Sequence, residues 1–155
     1  RGELAVELAT EVGVDEVVPW SAQRSVVRWD GERGTKPLAR WRSTAREAGK
    51  QSRRARFPVV TEPRSTTEVA ELLRTAEAAY VLHEAAADPL AGQAFPGSGD
   101  VVLVVGPEGG VTDDELASFT DAGAIAVRLG HSVLRTSTAG AAAAAVVSAA
   151  TARWR

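Results

Sequence analysis

Five consecutive apolar residues, Val101 to Val105, run straight into Gly106-Pro107-Glu108-Gly109-Gly110, and this junction limits the possible folds more than any other stretch of the chain. A strand with one wet face would alternate apolar and polar residues. An unbroken apolar run that stops at glycine and proline reads instead as a strand buried on both faces, as in a parallel sheet. Thr112-Asp113-Asp114-Glu115 follows, with the spacing of a capping box: Thr112 as N-cap and Glu115 three residues on. The glycines therefore join the C-terminal end of a strand to the N-terminus of a helix. In open α/β sheets that is where ligands bind.

The rest of the chain agrees with that class. Its 155 residues suit one domain with a core. Strand-like and helix-like segments alternate, which predicts a mostly parallel sheet with helices on both faces. Strands are expected over Val14–Trp20 (Val17 and Val18 in the core), Phe57–Val60, Ala79–Glu84, Val101–Val105 and Ala124–Leu129. Between them, Leu4, Leu8 and Val12 make an apolar helical stripe that Gly13 stops. Pro37 opens a helix whose apolar face is Leu38, Trp41, Ala45 and Ala48. Ser65-Thr66-Thr67-Glu68 is a second capping box, ahead of a helix over Val69–Ala78. Another helix is expected over Asp113–Ala122. An alanine-rich helix from about Ser137 to Ala152 is either a core helix or a packing face for a second subunit. Because the chain opens on an uncapped amphipathic helix, a strand or a whole domain is expected upstream.

Composition narrows the chemistry. There is no cysteine, and His83 and His131 are the only histidines, so no disulfide and no metal site is expected. No apolar run could span a bilayer. No membrane partner is expected, and a cytoplasmic location is. The net charge is −2, so a nucleic-acid partner requires a local basic patch. One is available. Arg42, Arg46, Lys50, Arg53 and Arg54 crowd one side of the segment after Pro37, with only Glu47 to offset them between Arg40 and Arg56. A solvated helix face usually mixes signs; this one points to phosphates. Arg24, Arg28 and Arg33, beside Trp29, lie in a Gly-punctuated loop that is either plain surface or a second RNA contact.

The glycine loop itself is not a phosphate cradle. It lacks the Lys-Ser/Thr pair of a Walker loop and the G-x-G-x-x-G spacing of a dinucleotide fingerprint. Glu108, Asp113, Asp114 and Glu115 would repel phosphates but suit a ligand with cationic groups, such as S-adenosylmethionine with its sulfonium and amine. Helix-dipole complementation alone accounts for Asp113 to Glu115, but poorly for three glycines and a proline. No nucleophile elbow is present.

Gly106 to Gly110 (GPEGG), then Leu129-Gly130, then Leu134-Arg135-Thr136-Ser137-Thr138-Ala139, together with Arg24-Ser25-Val26-Val27 and the basic segment Arg42 to Arg56, resemble the SPOUT methyltransferases, specifically the RsmE family. Nearly the whole chain takes part. The resemblance implies methylation of N3 of a uridine in 16S ribosomal RNA, in the small ribosomal subunit, with S-adenosylmethionine as cofactor. It also implies an α/β trefoil knot near the C-terminus and a homodimer with the site at the subunit interface. On that basis residues 1–155 are a SPOUT catalytic domain, truncated at its N-terminus and without the PUA-like RNA-binding domain of the family. Ser137 departs from the pattern, since the family more often has an acidic residue there. Carried over by motif, the cofactor contacts are Leu82, His83, Gly106, Glu108, Gly109, Leu129, Gly130, Val133, Leu134 and Thr138, with Arg135 nearest the target base. The RNA contacts are Arg24, Arg28, Arg42, Arg46, Lys50, Arg53 and Arg54. The alternative is a non-catalytic RNA-binding module that kept the fold. Saturable cofactor binding separates the two.

Overall fold

Every strand pairing in the protein is parallel. The structure, a computed structural model, describes residues 1–155. β3 (Ala78–Leu82) is the centre of a three-stranded sheet, flanked by β4 (Val101–Val104) and β5 (Ile125–Val127). Tyr80 lies opposite Leu103 on one side and Ile125 on the other. β1 (Glu16–Val17) and β2 (Val59–Val60) form a separate two-stranded ladder, prolonged by a bridge between Trp20 and Arg64. The expected sheet is thus in two pieces, and the strand expected over Val14–Trp20 is only two residues long. Pro19, Pro58 and Pro63 crowd these strands, and each removes a ladder donor.

Side chains alternate across a strand, and β3 uses both faces. Ala79 and Val81 pack with Val69, Ala70 and Leu73 of α3 (Thr66–Thr75) and with Phe119 of α4 (Asp113–Asp121). Tyr80 faces the other way, onto Leu90, Val127 and Ala143 of α5 (Thr136–Ala150). Burial holds the Tyr80 hydroxyl above its usual pKa, so this side chain stays neutral. A third cluster joins Val6 of α1 (Gly2–Glu11), Trp29, Leu38 and Ala45 of α2 (Thr35–Gln51), and Val60.

Two expectations change here. Leu4, meant for the apolar stripe of α1, is exposed, and the helix buries Val6 and Thr10 instead. α1 lies between α2 and α5. Gly2 meets the Trp41 ring so closely that a Cβ would sit 2.9 Å from it. That approach rotates the helix, and Thr10 enters the interior because its hydroxyl donates to the Val6 carbonyl at 2.7 Å. Trp29, in the loop read either as plain surface or as an RNA contact, is only 7% exposed. Its ring meets Trp41 edge-on at 4.8 Å, so it anchors the loop rather than displaying it.

Both capping boxes form with both hydrogen bonds. At α3 the Ser65 backbone N–H donates to Glu68, which, with the Ser65 hydroxyl, holds the Glu68 carboxyl below the usual carboxylate range. A depressed folded pKa adds stability above the unfolded value of about 4.3, and that stability fades as pH falls through the folded value. Ser65→Ala removes the N-cap oxygen and is expected to cost ~1 kcal/mol. Glu68→Gln should flatten the acid limb of a urea-denaturation series measured against pH. Equal acid limbs in wild type and Glu68→Gln would refute the capping role.

Candidate functional site

The C-terminal ends of the three sheet strands are neighbours: Val81 lies opposite Val104, and Leu82 opposite Val127. The His83 backbone N–H continues the ladder to the Val127 carbonyl at 2.8 Å. Leu82 and His83, Gly106 to Gly109, and Leu129 to Leu134 accordingly leave one sheet edge side by side. Thr138, in the first turn of α5, follows the third of these loops. The motif residues, far apart in sequence, are thus gathered on the edge where ligands of open α/β sheets are held.

Each loop is built differently. In the glycine loop, the Gly110 N–H closes a tight turn onto the Pro107 carbonyl at 2.8 Å, and Gly110 has φ +86, a left-handed conformation that glycine takes without strain. The loop is also gripped from outside, which sequence reasoning did not foresee. Arg24 donates from Nη1 to the Gly109 carbonyl at 3.2 Å, and a Cβ on Gly109 would lie 2.9 Å from Arg24 Cβ. Glu115, only 5% exposed, uses both carboxylate oxygens. Oε2 accepts the Thr112 N–H of its own capping box at 2.9 Å, and Oε1 accepts the Gln23 N–H at 2.6 Å. One buried carboxylate therefore fixes both the start of α4 and the loop carrying Arg24. The capping spacing revealed the first bond; nothing local revealed the second, which spans 92 residues.

The third loop is the opposite case. From Leu129 to Leu134 no backbone N–H or carbonyl is paired within the chain. Val133 is 75% exposed, and Leu134 is exposed as well. Exposed backbone groups satisfied by water can exchange that water for a ligand's polar edge, while the apolar side chains cover its ring. Arg135 then occupies the N-cap of α5 with no capping hydrogen bond. A cation there opposes the helix dipole. Rules of local structure are most often broken at functional sites.

The basic residues do not act as one face. Arg42 and Arg46 line an open groove between α2 and β2. Arg42 is partly spoken for: its Nε donates to the Val60 carbonyl at 3.2 Å, and it approaches Glu62 at 3.6 Å. Lys50 pairs with Glu47. Arg53, expected on the helix, lies past its end with φ 58. Arg54 is turned inward and donates to the carbonyls of Thr10 (3.3 Å) and Val14 (2.7 Å), tying the segment after α2 to the end of α1. Arg28 is exposed, and Arg24 is committed to the glycine loop. No cluster of three or more His, Cys, Asp or Glu could hold a metal, and no helix is long and apolar enough to cross a membrane.

Comparison with known proteins agrees with this geometry. Residues 1–148 match the RNA methyltransferase domain family. The ribosomal RNA small subunit methyltransferase E of Mycobacterium bovis is 51% identical over 99% of this chain, and that of Bacillus subtilis is 31% identical over 88%. The chain spans 60% and 56% of those two relatives. Among solved structures, the Neisseria gonorrhoeae ribosomal RNA small subunit methyltransferase E bound to S-adenosyl methionine superposes with TM-score 0.83 at 32% identity, covering 95% of this chain and 60% of that one. A Legionella pneumophila putative methyltransferase in complex with the same cofactor reaches 0.87 at 29% identity, covering 96% and 61%. The chain belongs to the RNA methyltransferase domain family.

Proposed function

We propose that residues 1–155 form the catalytic domain of an S-adenosylmethionine-dependent methyltransferase that modifies N3 of a uridine in 16S ribosomal RNA. In this reading it works in the cytoplasm as a homodimer, with its C-terminal half threaded as a trefoil knot. The observation that carries the proposal is the shared sheet edge, where a gripped glycine loop, an unpaired backbone loop and the N-terminus of α5 converge. The residues present fit the cofactor. The glycine loop folds tightly on itself, since a Cβ on Gly106 would lie 2.6 Å from Val111 Cγ2, so this turn needs glycine to close. Leu129 to Leu134 offer free donors and acceptors to an adenine edge, and Glu108 supplies negative charge for cationic groups.

Bound S-adenosylmethionine supplies a methyl group on a sulfonium, open to in-line attack. The chain's own work is positioning and charge. Leu82, His83, Gly106, Gly109, Leu129, Gly130, Val133, Leu134 and Thr138 would hold the cofactor in one orientation, and such ordering can remove up to about 7–11 kcal/mol of a two-reactant barrier. A uridine must be unpaired and out of its stack for N3 to be reached. As its proton leaves, negative charge builds on the ring oxygens. In this reading Arg135, exposed at the N-cap of α5, would stabilise it.

The test is transfer of a labelled methyl group from S-adenosylmethionine into small-subunit RNA, followed by nucleoside analysis. N3-methyluridine is expected, and Arg135→Ala should lower kcat by roughly 100-fold or more while cofactor affinity holds. Saturable cofactor binding with a methyl mark at another base position would overturn the uridine N3 assignment. No saturable cofactor binding at all would favour a non-catalytic RNA module.

A further inference from the structure

Phe57 is 43% exposed, yet its ring is fixed in place. It lies against the backbone of Gly49, inside α2, so closely that a Cβ there would sit 2.4 Å from Phe57 Cδ1. Glycine inside a helix costs stability relative to alanine, and here it lets the ring approach the helix backbone closely. The ring then borders an open groove of about 240 Å³ formed with Arg42, Arg46, Pro58 and Val60. The groove continues along α2 through Arg42 and Arg46 to Thr35, Leu38, Ala39 and Glu62. Thr35 directly follows the loop whose Arg24 grips the glycine loop.

Charge selects the occupant. Glu62 at the far end offsets Arg42. Arg46, which lines the groove beside Phe57, has no acidic partner, so the end nearest Phe57 carries net positive charge. An aromatic face beside an unpaired guanidinium group is the combination that binds single-stranded nucleic acid: bases stack on the ring while cations follow the backbone.

We propose that Phe57 is the stacking platform for one unpaired base of the RNA substrate, with Arg46 on the adjoining phosphate and the strand running along α2 towards Thr35. This rests on the reading of the chain as an RNA-directed enzyme and adds a defined nucleotide subsite to it. The site lies on the two-stranded half of the molecule, so it grips the substrate strand apart from the reacting base.

The probe is a short oligouridylate, compared with an oligomer of equal length and charge carrying one abasic position. Wild type should prefer the intact oligomer by roughly 5- to 100-fold, the range of one base–aromatic stack. Phe57→Leu keeps an apolar filler on Gly49 and should remove that preference, leaving S-adenosylmethionine affinity unchanged. Arg46→Gln should lower affinity for both oligomers and flatten the salt slope by about 0.7, the single-strand value for one phosphate. Should Phe57→Leu fail to fold, 5-iodouridine cross-linking of wild type gives the answer without mutation, and the adduct is expected in the tryptic peptide Phe57–Arg64. RNA binding with a normal salt slope, equal affinity for both oligomers and a cross-link elsewhere would overturn the subsite and leave the enzymatic reading standing. No RNA binding by wild type would overturn both.

Discussion

Gly109→Val is expected to lower S-adenosylmethionine affinity by roughly 10- to 100-fold while leaving the protein folded. The new Cβ would sit 2.9 Å from Arg24 Cβ and 3.2 Å from the Arg24 backbone oxygen. The second contact is with main chain, which cannot rotate away as a side-chain tip can. Relief therefore requires the glycine loop or the Arg24 loop to move, and the Arg24 loop is held at Gln23 by the buried Glu115 carboxylate. Overpacking of this kind typically costs ~1–3 kcal/mol, which gives the stated range if the strain falls on the bound conformation. Isothermal calorimetry on the folded variant is the measurement, with the urea midpoint as control. Unchanged cofactor affinity would mean that the ligand does not use this loop.

Phe119→Ala should cost ~3–5 kcal/mol of stability. Phe119 is 0% exposed and joins α4 to β3, β4 and α3 in the largest core cluster. It also meets Trp20 edge-on at 5.0 Å, and Trp20 in turn donates from its indole N–H to the Thr66 hydroxyl at 3.1 Å. The ring thus bonds the small ladder's end to the main sheet's helical layer, and its loss leaves a cavity that Trp20 can only partly fill. For a chain of this size the melting temperature should fall by roughly 6–20 °C. A loss below ~1 kcal/mol at unchanged m value would mean that the site collapses and closes the cavity.

What the sequence revealed follows the range of the interactions concerned. The strand ending at Gly106, the two capping boxes and the glycine stops at Gly13 and Gly123 are local, and each is found close to its expected place. The gathering of the motif loops on one sheet edge follows from parallel order, a rule of topology that alternation alone suggests. The misreadings involve contacts that no window contains. Periodicity placed Leu4 in the core, but the Gly2–Trp41 approach turned the helix. Spacings of three and four put Arg53 on the basic face, but α2 stops at Gln51. Arg54 looked like its neighbours, and the carbonyls of Thr10 and Val14, 44 and 40 positions earlier in the chain, draw it inward. Arg24 belongs to the RSVV motif, yet its bond to Gly109 is a property of the folded chain alone. Phe57 was expected only as the first residue of a strand, and its contact with the Gly49 backbone belongs to the folded chain.

The all-parallel pairing also has a temporal consequence. A hairpin can zip from its turn, but no ladder here begins at a turn. β3 meets β4 only after the chain between Leu82 and Val101 has closed on itself, and β5 only after α4 has also been laid down. Each first ladder bond is thus preceded by the entropy of a long closure. The capped helices α3 and α4 are the pieces able to take shape early, and the sheet edge that gathers the three loops is necessarily late. A nascent chain will carry its glycine loop for some time before it has anywhere to put a ligand.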